Sequence, residues 1–274
     1  MIGDNKLDPR AAVALKELPI PLITATTQTD VLALNYKPGY SFELAALRGS
    51  CSAEAGAVTA NVVIAPPTAI LLAGAISVHS TPEQLASAIA RYIIGGKVIS
   101  VAAGTALAFS AAHVVTASKF GAILLQRSNA GAWSTKVPAA TATTAMAYDT
   151  ATAAELAVLA LSPDADKIAV GHIIIAADSG GWTAITDDLT NGSDLTTATI
   201  TTYAAQARAC SSALAFVAGE EARGTLSTDR TRVRGSKTDH LIVLYTTDGT
   251  GALTNGVVTP VIKIRPAAGQ SSYE

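Results

Sequence analysis

The strongest constraint on this fold is a series of short apolar runs, each closed off by turn-forming residues. The segments Gly121–Arg127, Ile168–Ala176 and His240–Thr246 are rich in Ile, Leu and Val and bounded by Asn, Asp, Gly and Ser. Runs this short, with such flanks, read as β-strands. Residues 196–202 (TTATITT) and 258–264 (VTPVIKI) alternate instead, as half-buried strands do. The dipeptides Asn191-Gly192, Asp248-Gly249 and Asn255-Gly256 suit turns that need positive φ, and Asp248-Gly249 is a hairpin signal. These features predict a mainly β fold, with β-sandwich or barrel-like layers, hairpins and two or three short helices.

The helices are expected where capping residues stand. Asp8-Pro9 opens one that Pro19 stops after Leu18. Thr81-Pro82-Glu83-Gln84 opens a second, whose stripe of Leu85, Ile89, Tyr92 and Ile93 ends at Gly95-Gly96. A third starts at Asp149 or Thr152, passes Glu155 and stops before Ser162-Pro163. The expected organisation is an N-terminal arm with a short helix (1–35), then β-rich regions over 36–97, 98–204 and 205–274. The stretches Phe42–Thr59, Gly121–Val137 and Leu241–Val258 share one grammar of apolar run, small turn and Thr-containing return. They read equally as a repeated hairpin unit or as ordinary hairpins of a β protein.

Composition narrows the function. The mean hydropathy of +0.36 looks membrane-like, but 55 of the 274 residues are Ala, spread along the chain. The most apolar stretch, Val62–His79, is broken by Pro66-Pro67, so no span and no membrane partner is expected. A net charge of −2 and a pI near 6.1 give no overall positive field, so no nucleic-acid partner is expected. The polar start, Met1–Arg10, lacks the apolar core of a signal peptide, which predicts synthesis in the cytoplasm. Cys51 and Cys210 have no metal-ligand spacing and read either as two buried thiols or as one bridge.

Catalytic signatures are missing from the sequence: no G-x-S-x-G, H-E-x-x-H, P-loop or dinucleotide fingerprint occurs. The four His residues are scattered, and His172 and His240 sit in or beside apolar strands, where they read as core residues. The expectation is no enzyme, no catalytic residue, no cofactor and no metal. Three weaker features remain. Residues 187–194 (DDLTNGSD) gather oxygen ligands around a Gly, either as a cation loop or as a turn with side-chain caps. Arg230, Arg232 and Arg234 would share one face of a strand, either to dock a partner or to guard an edge. Trp133 and Trp182 follow Gly-containing turns, as core anchors or as exposed contacts.

The middle of the chain carries a resemblance. Residues 100–106 (SVAAGTA), 117–126 (ASKFGAILLQ), 147–149 (AYD), 160–171 (ALSPDADKIAVG) and 181–190 (GWTAITDDLT) follow one another. The succession resembles a β-rich module of tailed-bacteriophage virion proteins, which include capsid decoration, fibre and unassigned structural components. It covers about residues 98–204 and brings no catalytic residues. It implies a virion structural protein, foremost a capsid decoration (cement) protein on the outer head lattice. Such a protein would bridge major capsid subunits, assemble with itself as a homotrimer and reside on the capsid surface. The alternative is a tail or head fibre that contacts the host. The expected lattice contacts are the extended segment Pro19, Ile20, Pro21 and Leu22, and Arg230, Arg232 and Arg234. A depolymerase would need a clustered acid pair, and the sequence presents none.

Overall fold

A computed structural model of the chain describes residues 15–22, 32–36, 41–55, 58–138, 145–190, 192, 195–247 and 252–265. The fold is mainly β, built from antiparallel sheets, with one helix among the described residues. The chain forms two compact units. The first joins residues 1–67 to 207–274, and the second, 68–206, is inserted between them. The expected boundary at 97–98 falls within the second unit. It would cut the hairpin of Ala90–Ile94 with Lys97–Val101, where Ile94 pairs Lys97.

The first unit is organised by one long antiparallel ribbon. Strand Ser41–Ser50 pairs Val257–Arg265, Ala53–Ala55 pairs Ala252–Thr254, and Val58–Ala65 pairs His240–Thr247. The first pairing lies at the centre of a six-stranded sheet and the last at the centre of a five-stranded one. Residues 42–59 and 241–258 are thus not two copies of a hairpin but the two sides of one ribbon. Only the stretch at 121–137 forms its own hairpin, with Phe120–Ser128 paired to Trp133–Lys136.

The two sheets of this unit share one core. Val58, Ala60, Val62 and Ile64 alternate inward from one, with Leu241, Val243 and Tyr245 beside them. Phe42, Leu44 and Leu47 come from the other. Their spacing changes from two to three because the register shifts at Ala45, where Val261 faces Ala46 and Ile262 faces Leu44. The bulge keeps Leu47 on the core side, as one extra residue must. Gly49 then faces Phe216, where a Cβ would come within 2.9 Å of the ring.

The inserted unit is centred on Phe120–Ser128 and Lys167–Ala177, flanked by Trp133–Lys136 and Leu195–Thr202. One face of this sheet packs Ile123, Leu125, Val170, Ile173 and Ile175 into the main core. On the other face, Ala122, Leu124 and Ile174 lie under Ala154 and Val158 of the helix Ala151–Leu159. Cover on both faces explains why residues 121–127 are buried without a break. The helix begins at Thr150, whose Oγ1 accepts the Ala153 amide at 3.1 Å.

The other expected helices are corrected. Residues 84–94 form the strands Gln84–Ser87 and Ala90–Ile94. The same residues that suit a cap also suit turns. Gln84 N–H donates to the Thr81 carbonyl with Pro82 inside the turn. Gly95 and Gly96, at φ 58° and 82°, form a two-residue hairpin turn in which both φ angles must be positive. The remaining helix was expected over residues 9–18; Leu15–Glu17 is a strand on Val257–Arg265, and residues 9–14 lie outside the described residues.

Among the described residues every strand ladder lies within a single unit, and each unit has its own core. Residues 68–206 expressed alone should therefore fold. The expected outcome is a β-type circular dichroism spectrum with one cooperative melt, and a non-cooperative, unstructured fragment would contradict it.

Candidate functional site

The expected contact segment is extended, and its partner is the chain's own sheet. Ile20–Pro21 pairs with Val257–Val258, and the Leu18 and Leu22 amides donate to Pro260 and Gly256 carbonyls. Leu18 and Leu22 are buried in the core of the first unit, and Ile20 packs against it. Pro19 and Pro21 face outward. Proline suits this edge because it offers no outward N–H for a further strand.

The arginines do not form a stripe. Arg230 and Arg232 lie exposed in a turn, and only Arg234 is on a strand, Arg234–Gly235. Arg232 meets Asp229 at 3.6 Å, and Arg234 Nε donates to Glu43 at 3.0 Å. Arg208 pairs Asp239 at 3.0 Å, and Arg223 pairs Glu221 at 2.7 Å. Asp229 caps its own turn by accepting from the Thr231 amide, which displaces the alternation seen in the sequence.

The acidic segment 187–194 is a capped turn where it is described. Asp187 accepts the Thr183 amide, and Asp188 accepts both the amide and the hydroxyl of Thr190. Asn191, Ser193 and Asp194 lie outside the described residues. Among the described residues no group of three His, Cys, Asp or Glu could hold a metal ion. No helix among them is long and apolar enough to cross a membrane. Cys51 and Cys210 are free and buried, and burial pushes the Cys210 thiol up to about 12.

The inserted unit holds polar groups that the sequence reading missed. Arg127 is fully buried; its guanidinium lies 3.5 Å from the Trp133 ring centroid and donates to Ser87 Oγ and the Gly131 carbonyl. Burial pulls its pKa down to about 10, opposed by Tyr92. Trp133 Nε1 donates to the Thr105 carbonyl, tying the stack to a neighbouring loop. Trp182 is a core anchor set edge-on to Phe109. The signal for Arg127 was its phase: it continues the inward series Ile123 and Leu125.

A second cluster sits under the helix. His172 Nδ1 shares a 3.1 Å hydrogen bond with the Tyr203 hydroxyl, and Nε2 lies 3.8 Å from Glu155 Oε1. Burial lowers the His172 pKa, partly opposed by Glu155, and burial also lowers that of His113. Nearby, Asp164 receives Lys136, Lys167 and the fully buried Gln126 side chain, and is drawn down to about 2. A shallow depression of about 360 Å³ lies at the strand ends, lined by Ser118, Lys119, Phe120, Ala177, Asp178 and Thr196. Lys119 is bound there to Asp149, so its ammonium is already engaged. These groups order the fold; none forms a nucleophile–base–orienter chain facing a cavity.

Comparison with family models, with curated proteins and with solved structures gives no match for this chain.

Two outcomes follow. Leu22→Ala empties a core position and should cost about 2–5 kcal/mol of stability in urea denaturation; an unchanged midpoint would show that the segment does not hold the sheet. Acidification should also destabilise the protein. His113 and His172 have folded pKa values below the ordinary 6.5, so the unfolded chain binds more protons and stability falls as pH drops below about 6.5. The Asp164 contribution is lost further down, from about 3.8 towards 2. His172→Gln should flatten the first fall, read as the unfolding midpoint between neutral pH and pH 5.

Proposed function

We propose that this chain is a non-enzymatic virion structural protein of a tailed bacteriophage, acting as a capsid decoration (cement) protein on the outer head lattice. The observation that carries the reading is the nested architecture: a β unit of 139 residues, 68–206, set into a β-sandwich built from both ends of the chain. The span of the virion-module resemblance, about 98–204, falls inside that inserted unit. Such a division suits a protein that anchors by one unit and displays the other. A low content of charged residues, 15 %, and pairing of Arg208, Arg223, Arg232 and Arg234 with the chain's own carboxylates favour close packing against protein over attraction to a polyanion.

In this reading the partners are the major capsid protein and further copies of the chain, as a homotrimer on the lattice. Synthesis is in the bacterial cytoplasm and the final location is the capsid surface. Lattice contact falls to the outward Pro19 and Pro21 and to the exposed turn with Arg230 and Arg232; Leu22 and Arg234 support them from within. Binding only to the assembled lattice would stabilise the head by mass action.

The test is the copy number and position of the chain in purified virions. Quantitative mass spectrometry should give hundreds of copies per particle, and labelled imaging should place them on the head. Tens of copies at the tail or a head vertex would favour the fibre reading, and absence from the particle would refute both.

A further inference from the structure

The inserted unit exposes one sheet edge that is unlike the others. Leu195–Thr202 is the outer strand of the four-stranded sheet and, at eight residues, the longest edge strand among the described residues. Other edges are short, such as Ala69–Leu72, Ile76–Val78 and Ala106–Ala108, or carry charge or proline: Lys97 on Lys97–Val101, Lys136 on Trp133–Lys136, and Pro19 and Pro21 in the N-terminal segment. These are the usual guards against strand addition. Leu195–Thr202 has none of them.

The strand is also held ready. Leu195 is buried in the core, Ala198 and Ile200 pack against it, and Thr202 Oγ1 accepts the Ile76 amide at 2.9 Å. Thr196, Thr197, Thr199 and Thr201 are exposed. The Tyr203 amide donates to the Val170 carbonyl, which sets the phase of the ladder with Lys167–Ala177. By antiparallel alternation, Thr199 and Thr201 direct their main-chain groups to that strand, while those of Ala198 and Ile200 point outward.

We propose that this edge joins a second copy of the chain by antiparallel strand pairing across a two-fold axis through Thr199. The sequence 196–202, TTATITT, reads almost the same in both directions. About Thr199, residue 196 meets 202, 197 meets 201, and 198 meets 200. Every opposed pair is then Thr–Thr or Ala–Ile, with no charge to repel, and Thr–Thr pairs are favourable cross-strand neighbours. The outward main-chain groups coincide as well: Ala198 faces Ile200 of the second copy and both donate and accept. The four-stranded sheets merge into one of eight strands, as in an isologous two-fold interface. The axis stands normal to the sheet, so the helices of both copies, with exposed Leu156 and Leu159, lie on one face. The inference does not depend on the virion reading, and in its self-association it replaces the homotrimer of that reading with a closed two-fold pair.

Thr199 at the axis forms the non-hydrogen-bonded pair, with Cα atoms about 4.5 Å apart. That spacing lies within the range of a disulfide. The full-length protein should sediment as a dimer whose fraction rises with concentration. Thr199→Cys should yield a covalent dimer under mild oxidation, whereas Thr197→Cys alone should not, because its opposite is Thr201. The native Cys51 and Cys210 are buried and stay out of the reaction. Thr199→Lys opposes two ammonium groups and should raise the dimer Kd about tenfold or more, with an unchanged melting profile by circular dichroism. A monomer at all concentrations, a trimer indifferent to Thr199→Lys, or equal cross-linking of Thr197→Cys and Thr199→Cys would each overturn the proposal.

Discussion

Main-chain pairing between residues 41–65 and 240–265 is the interaction on which the rest of the structure depends. It supplies the central strands of both sheets in the first unit, and each side of the sandwich core is fixed by it. Paired residues of these segments lie from 175 positions apart in sequence, Ala65 with His240, to 224, Ser41 with Arg265. The core of the first unit therefore cannot close until its C-terminal strands are available, a slow, non-local assembly. The inserted unit has no such dependence, since its strands pair among residues 69–202.

Placing the insertion within this frame is undemanding. The chain leaves the first unit after Val58–Ala65 and returns at Arg208–Ala209, whose register partners are Ile64 and Val63 on that same strand. Departure and return lie on neighbouring strands, so a large insert occupies what is, for the first unit, a single connection. Charge follows a related economy. Glu43, Asp229 and Asp239 each meet an arginine of the segment 208–234, so Arg208, Arg232 and Arg234 are paired within the first unit.

Strand positions were legible in the sequence because burial and turn chemistry act locally. All five expected strands occur, including Phe120–Ser128 and Val257–Arg265, with ends within a few residues. Pairing was not legible, because nothing local distinguishes a hairpin from two arcs that find each other across the chain. The helix expected over 81–94 failed for a specific reason: Pro82 and Gly95-Gly96 serve caps and turns alike, and Ala90–Ile94 is buried at all five positions, which a strand between two neighbours satisfies. The alternating arginines misled in the same way, since Asp229 turns the backbone before a strand can form. The extended character of residues 19–22 was legible, but its partner was not; Leu18 and Leu22 belong to the chain's own core. Buried Arg127 could have been read only by trusting the period-2 phase over the charge.

The N-terminal strand Leu15–Glu17 lies directly against the last strand, with Leu15 opposite Lys263 and Glu17 opposite Val261. Tension applied to the two ends would therefore be taken up first by this short ladder at the edge of one sheet, in which Leu15, Lys16 and Glu17 are all exposed. The inserted unit, entered and left through neighbouring strands deep in the chain, is mechanically bypassed until that clasp and the ribbon behind it give way. Strain applied through the chain ends would thus load the sandwich while the inserted unit keeps its shape.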